Sequence, residues 1–484
     1  MFKDLKRLGR ETAVYGLSTI VGRMLNILLL PLYTHALAPA DYGVVATLFS
    51  YIAFLNILYW HGMDFSFMRY YDAKSPRPTF STSFWSLAAT TVALTGLLTL
   101  FSNQAAAAGG LAGYGELVRY AAWIMAMDAL AIIPFAYLRM NHRAYAFAGI
   151  KVANIALNLA LNYVFLIRWR LGVSGVFLAS LLTSCATFAM LAPVLVLELR
   201  PVFEKALYGE LLAFALPLVP AGLASMMVQV IDRPILKFMT TAAVVGIYQA
   251  NYRLAIFMQL VVNMFDAAWR PFFLEKGGEP GEPVLGRVLT YFSAGGAFML
   301  VFVSLFIPHI VCLPLFAGRS LIPSAYWPGL AIVPIVTLGY LFNGVYINFL
   351  APVTLAKKTS RVAVATAVGA AVNVGTNLWW IPRWGMFGAG LATLAAYAAM
   401  AAALYLLGRK IHRVDYEWGR LLHLAVCLAA VAAGARALGL GMTPDRALLR
   451  AGLLFAFPAA LIATGFLRGD ELDAVRRRVG ALIG

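Results

Sequence analysis

Fourteen stretches of mostly apolar residues recur along the chain, over 12–36, 41–62, 80–101, 116–138, 145–167, 174–197, 207–238, 244–267, 287–316, 327–350, 361–381, 387–408, 421–438 and 448–467. Each is close to the roughly 18–25 residues that a helix needs to cross a bilayer. The runs are apolar on every face, whereas lipid-facing barrel strands alternate polar and apolar positions, so helices are expected. The pattern predicts an all-α polytopic membrane protein with about 14 transmembrane helices. The first run follows a basic segment as a signal peptide's would. It is longer than an h-region of about 7–15 residues and contains Arg23, so it reads as a retained span.

Composition removes the main competitors. Hydrophobic residues make up 62% of the 484 and charged residues only 12%, against about 45–50% and roughly 25% in a soluble domain. A soluble globular enzyme is excluded. The 31 Phe, 22 Tyr and 10 Trp exclude a disordered chain, and three cysteines are too few for a disulfide scaffold. The net charge of +17 would suggest a nucleic-acid partner in a soluble protein, but the placement of the charges gives another answer. With the N-terminus inside and every run crossing, 26 of the 38 Lys and Arg fall on inner connections, span ends and tails, and nine on outer ones. That asymmetry predicts both termini in the cytoplasm and accounts for the charge without nucleic acid.

The chain also repeats itself. Pro31, Gly43, Phe54, Asp64 and Arg69 recur as Pro234, Gly246, Phe257, Asp266 and Arg270, at offsets of 203, 203, 203, 202 and 201 residues. Asn158, Asn162, Gly172, Gly175 and Ala179 recur as Asn373, Asn377, Gly385, Gly388 and Ala392, at offsets of 215, 215, 213, 213 and 213. Two six-helix lobes are therefore expected, over 1–200 and 207–408, followed by two extra transmembrane helices over 421–467 and a basic cytoplasmic tail over 468–484. Six spans per lobe preserve orientation, so the repeats are parallel, a layout suited to rocking about a central site. A duplicated scaffold without transport is the plain alternative.

Charges within spans are costly, at least about 2.5–3.5 kcal/mol each on insertion scales, and should face a cavity or a partner. Arg23 lies about 16 Å into the first run and Arg253 at similar depth in the eighth. Neither has a counterpart in the other half: Arg23 aligns near Met226, and Arg253 with Ser50. Two such guanidiniums facing one cavity would present paired forks to a phosphate or pyrophosphate; otherwise they are tied to carbonyls or carboxylates between helices. Arg233 is a third candidate substrate-binding cation. Asp128 and Asp232 are candidate ion-coupling residues, because a buried carboxylate binds a proton or Na⁺; each can equally be an arginine's permanent partner, the favoured reading for Asp232 beside Arg233. The duplicated Asp64, Arg69, Asp266 and Arg270 read as helix-end pairs or an inner gate. Asn154, Asn158 and Asn162 line one helix face, as do Asn373 and Asn377. Pro31, Pro217, Pro220 and Pro234 predict kinks. The six histidines lack metal-ligand spacing, and no G-x-x-x-x-G-K-[ST], G-x-S-x-G or H-E-x-x-H occurs. No cofactor, metal or catalytic residue is expected, and the chain reads as a non-enzyme.

Leu30-Pro31-Leu32-Tyr33, Leu37-Ala38-Pro39-Ala40-Asp41-Tyr42-Gly43, Gly62-Met63-Asp64 and Arg69-Tyr70-Tyr71 together resemble the N-terminal signature of bacterial polysaccharide and O-antigen repeat-unit flippases. These belong to the multidrug/oligosaccharidyl-lipid/polysaccharide exporter superfamily. The resemblance implies transport of undecaprenyl-pyrophosphate-linked oligosaccharide from the inner to the outer leaflet of the bacterial cytoplasmic membrane, for polysaccharide or lipopolysaccharide biosynthesis. It also implies partners such as a polysaccharide polymerase and a chain-length regulator. In the related lipid II flippases cavity arginines from the first helix and from the start of the second lobe hold pyrophosphate, and Arg23 and Arg253 occupy comparable places. In those relatives the last two helices hold the lipid tail. A multidrug cation antiporter of the same superfamily is the nearest alternative, and a membrane glycan polymerase or ligase a more distant one.

Overall fold

The computed structural model describes residues 28–276, 283–316, 318–411, 413–468 and 471. Among them, eleven helices are long and apolar enough to cross a membrane, and each coincides with a predicted run. The other three runs depart for separate reasons. The first lies mostly outside the described residues and is helical over 28–36. The last forms an apolar helix of only 17 residues, Ala447–Ala463. The eighth is divided into Ala242–Leu254 and Ile256–Lys276 by a turn at Ala255. The one β pairing among the described residues is a short hairpin, Pro314–Phe316 with Arg319–Ser320.

The chain forms two compact units, Met1–Arg253 with Asn373–Ala392, and Leu254–Val372 with Thr393–Gly484. The first contains α1 (Pro39–Trp60), α2 (Met63–Arg69), α3 (Pro76–Leu100), α4 (Gly115–Met140), α5 (Ala144–Tyr163) and α6 (Gly172–Met190). Next come α7 (Lys205–Ala215), α8 (Leu218–Val230), α9 (Asp232–Met239) and α10 (Ala242–Leu254). The predicted run 207–238 is thus three helices. Its breaks fall at Leu216–Pro217 and at Ile231, ahead of Pro234, because a proline ring clashes with the carbonyl four residues back and donates no hydrogen bond to it. One core packs Met63 and Phe67 of α2 against Phe80 and Leu87 of α3, Ile133 and Tyr137 of α4, and Leu211 of α7. Phe80 meets Phe67 and Tyr137 edge-on, at 6.2 and 5.6 Å between centroids.

The repeat is visible in the geometry. A Cβ on Gly43 would stand 1.8 Å from the Ala242 carbonyl oxygen, and one on Gly246 would stand 1.9 Å from that of Pro39. Gly43 and Gly246 are repeat mates, as are Pro39 and Ala242, so α1 and α10 cross reciprocally where neither carries a side chain. Asn162 donates to the backbone and side-chain oxygens of Asn158 at 2.8 and 3.0 Å, and Asn377 bonds Asn373 at the same two distances. Gly172 and Gly385 both take positive φ, 58° and 53°, at matching turns.

The second unit contains α11 (Ile256–Lys276), α12 (Pro283–Cys312) and α13 (Ile332–Asn348). Helices α14 (Ser360–Trp384) and α15 (Met386–Gly408) are divided between the two units, and α16 (Trp418–Ala437) and α17 (Ala447–Ala463) follow. Ala297, Val301 and Leu305 of α12 pack on Leu424 and Cys427 of α16 and Leu454, Phe457 and Leu461 of α17. Arg450, only 1% exposed, fixes the connection between the last two helices. It donates to the carbonyls of Leu305, Gly441, Thr443 and Asp445 at 2.7, 2.8, 2.9 and 2.9 Å. It also bonds the Asp445 carboxylate at 3.1 Å, so this arginine is a structural staple. Arg450→Met removes one donor from each of four carbonyls, and the melting temperature in detergent should fall by the equivalent of at least about 2 kcal/mol. The Arg450 hydrogen bond, helped by Thr443, holds the Asp445 carboxyl below its usual range. Its contribution is therefore complete above the unfolded carboxyl pKa of about 3.9 and is lost as pH falls through the folded value. Acidification should cost the wild type more than Arg450→Met.

Candidate functional site

In the first unit, α1, α4, α5 and α6 wall a cavity of about 670 Å³. Its lining residues come from positions 29–187 with one exception, Arg253 of α10. The wall holds three cations, Arg139, Lys151 and Arg253, and two anions, Asp64 and Asp128, a net charge of one positive. Arg139 and Lys151 are exposed, while Asp64, Asp128 and Arg253 are half-buried.

Each charged group has a distinct setting. The Arg253 guanidinium carbon lies 5.9 Å from the centre of the Tyr33 ring, and its Nη1 is buried with no hydrogen-bond partner among the described residues. Asp128 shares the wall with Ser184 and lies within electrostatic reach of Lys151. Lys151 Nζ stands 4.3 Å above the Phe135 ring, and Arg139 sits 5.2 Å from that of Phe147. Between these charges runs a polar wall. Asn154 donates to Thr187 at 2.7 Å, and Asn158 to Thr183 at 3.5 Å.

The predicted residues divide accordingly. Arg253, Asp128 and Asp64 all line the cavity, and Asp64 is within electrostatic reach of Arg139. Arg69 is exposed at the end of α2. In the second unit, its repeat mate Arg270 pairs with Asp266 at 2.8 Å on an accessible face of α11. Arg23 lies outside the described residues. Arg233 and Asp232 are outside the cavity wall and buried together, 2.7 Å apart. Arg233 also bonds Gln249 at 2.9 Å and covers the Tyr252 ring at 4.1 Å, and Tyr248 donates to Asp232, so the pair ties α9 to α10. Arg139 and Lys151 are among the 26 inner-side charges that the positive-inside count explains without a site. The signal that finds Lys151 is spacing, since 151, 154 and 158 share one face of a helix with the asparagine ladder.

Helical backbone is interrupted at membrane depth only where it is covered by protein or lines a cavity, and Arg253, two residues before the turn at Ala255, is in the cavity wall.

Residues 8–275 match a protein family described as polysaccharide biosynthesis protein. The fold is similar to that of the lipid II flippase MurJ in an inward closed conformation, with a TM-score of 0.68 at 14% identity over 93% of this chain and 99% of the other. It is similar also to a multidrug resistance MATE family transporter of the MOP superfamily. The inward-facing form gives a TM-score of 0.63 at 16% identity over 82% and 94% of the two chains. The outward-facing form gives 0.56 at 15% over 84% and 94%. No curated protein matches the sequence.

Proposed function

The chain belongs to the polysaccharide biosynthesis protein family, and from that premise we propose that it is a flippase for undecaprenyl-pyrophosphate-linked oligosaccharide. It works by alternating access in the bacterial cytoplasmic membrane, with both termini in the cytoplasm. The lobes over 1–200 and 207–408 move about the site. The supporting observation is the Arg253 guanidinium, with a buried nitrogen lacking a partner among the described residues, in a cavity with a net positive wall. A pyrophosphate supplies what that nitrogen lacks.

The physical need is large. Carrying two or more charges and many hydroxyls through hydrocarbon costs tens of kcal/mol in the Born limit. A cationic, hydrogen-bonding cavity removes most of that barrier while the polyprenyl tail stays in lipid. The volume of about 670 Å³ lies within the range of roughly 300–1,000 Å³ usual for ligand sites. In this reading Arg253, with Arg23 as its companion on sequence position, holds the pyrophosphate. Arg139 and Lys151 draw it in, and Asn154, Asn158, Thr183 and Thr187 face the sugar hydroxyls. Asp128 is the ion-coupling group, its charge balance shifting with protonation or cation occupancy beside Lys151. The Arg233–Asp232 pair supports the helix that carries Arg253, and Asp64 with Arg69 and Asp266 with Arg270 sit at the gate. A polysaccharide polymerase and a chain-length regulator are the partners that would take up the product. An organic cation, the cargo of a drug antiporter, is disfavoured by the same net positive wall.

The test is reconstitution. Vesicles holding the purified chain and a lipid-linked oligosaccharide should expose sugar to a membrane-impermeant lectin faster than protein-free vesicles, and Asp128→Asn should lose the response to an imposed pH or Na⁺ gradient. Equal rates with and without protein would overturn the proposal, and ethidium export in the same vesicles would favour the antiporter.

A further inference from the structure

The second unit carries a separate cavity of about 520 Å³ where α15 ends and the connection to α16 begins. Four aromatic rings build it. Tyr405 stands 5.1 Å from Trp418 and 5.4 Å from Phe349, and Tyr416 stands 5.1 Å from Phe349 and 5.9 Å from Trp418, measured between centroids. Leu404 and Pro352 add aliphatic wall, and Arg409, Lys410 and Arg413 face one carboxylate, Asp415. Among the described residues only Arg413 of the three cations has a carboxylate partner, Asp415 at 3.5 Å. The connection is held in place, because a Cβ on Gly286 of α12 would stand 2.1 Å from the Asp415 carbonyl oxygen. The neighbouring connection is fixed to the same end by Arg361, whose guanidinium bonds the Leu407 carbonyl at 2.5 Å.

We infer that this cavity binds the headgroup of an anionic phospholipid. Tyrosine and tryptophan at the end of a spanning helix mark the boundary between hydrocarbon and water, and three cations there attract the phosphate of an acidic lipid. The mixed wall argues for a lipid over a soluble anion: the cations serve the phosphate, while Leu404, Pro352 and the rings offer apolar surface to the glycerol and upper chains. By the positive-inside asymmetry this end faces the cytoplasm, where the inner leaflet supplies the ligand. The assignment is independent of the proposed flippase activity and of Arg253.

Native mass spectrometry tests it on the full chain released from nanodiscs containing equal phosphatidylglycerol and phosphatidylcholine. The wild type should retain phosphatidylglycerol preferentially. In Arg409→Gln/Arg413→Gln that preference should fall about five-fold per cation removed. Lys74→Gln/Lys205→Gln removes the same charge from exposed sites in the first unit and should leave the preference intact. Equal retention of the two lipids by the wild type, or equal losses in the two double variants, overturns the inference. Inorganic phosphate separates the sources of the anion. A chain-anchored headgroup stays bound at millimolar phosphate, whereas displacement would assign the cavity to a soluble phosphate and overturn the lipid assignment.

Discussion

Arg253→Ala should slow translocation of the lipid-linked oligosaccharide by about 30- to 150-fold below saturation, the loss of one charge-assisted contact of about 2–3 kcal/mol to the pyrophosphate. Arg253→Lys keeps the charge but not the planar fork, so its rate should fall between the two. Stability sets this apart from a packing effect. The wild-type Nη1 is buried without a partner among the described residues, and leaving such a group unsatisfied costs free energy. Alanine should therefore melt at or above the wild-type temperature while transport fails. A variant that transports normally but melts lower would make Arg253 a packing residue against Tyr33 and end its role as a ligand.

The second large effect concerns the crossing of α1 and α10. Gly43→Ala and Gly246→Ala should each destabilise the protein, although alanine is the better helix former by up to about 1 kcal/mol. The contact outweighs propensity, because the added carbon would stand within 2 Å of a carbonyl oxygen and the helices must separate, at a cost of about 1–3 kcal/mol. Both changes push on the same pair of helices, so the double variant should cost less than the sum of the singles. Thermal unfolding of the four proteins in one detergent measures this. Additive losses would mean that the helices yield independently.

The spans were legible because uninterrupted apolar runs leave a helix as the only way to pair backbone groups in lipid, and the proline breaks at Pro217 and Pro234 followed from a missing donor. The turn at Ala255 was not legible. Neither proline nor glycine marks it. Arg139 and Lys151 were hidden by a sufficient explanation, since charges at inner span ends already satisfy the positive-inside rule. Nothing along the chain marks Arg450, because the four carbonyls that enclose it converge only in the folded unit. The duplicated asparagines and glycines carried more structural content than their spacing alone displayed, as the matching Asn158–Asn162 and Asn373–Asn377 geometry shows.

The glycine crossing bears on how a fused duplication ages. Each copy's glycine clears room for the other copy's backbone, so neither half can drift at that position without injuring its sibling. Seven residues further along the same two helices the bond of inheritance is cut: Ser50 hydrogen-bonds its own helix at Ala46, while its counterpart Arg253 enters the cavity. Ancestral symmetry persists where the copies touch and has lapsed two turns away, where only one of them reaches the cavity wall.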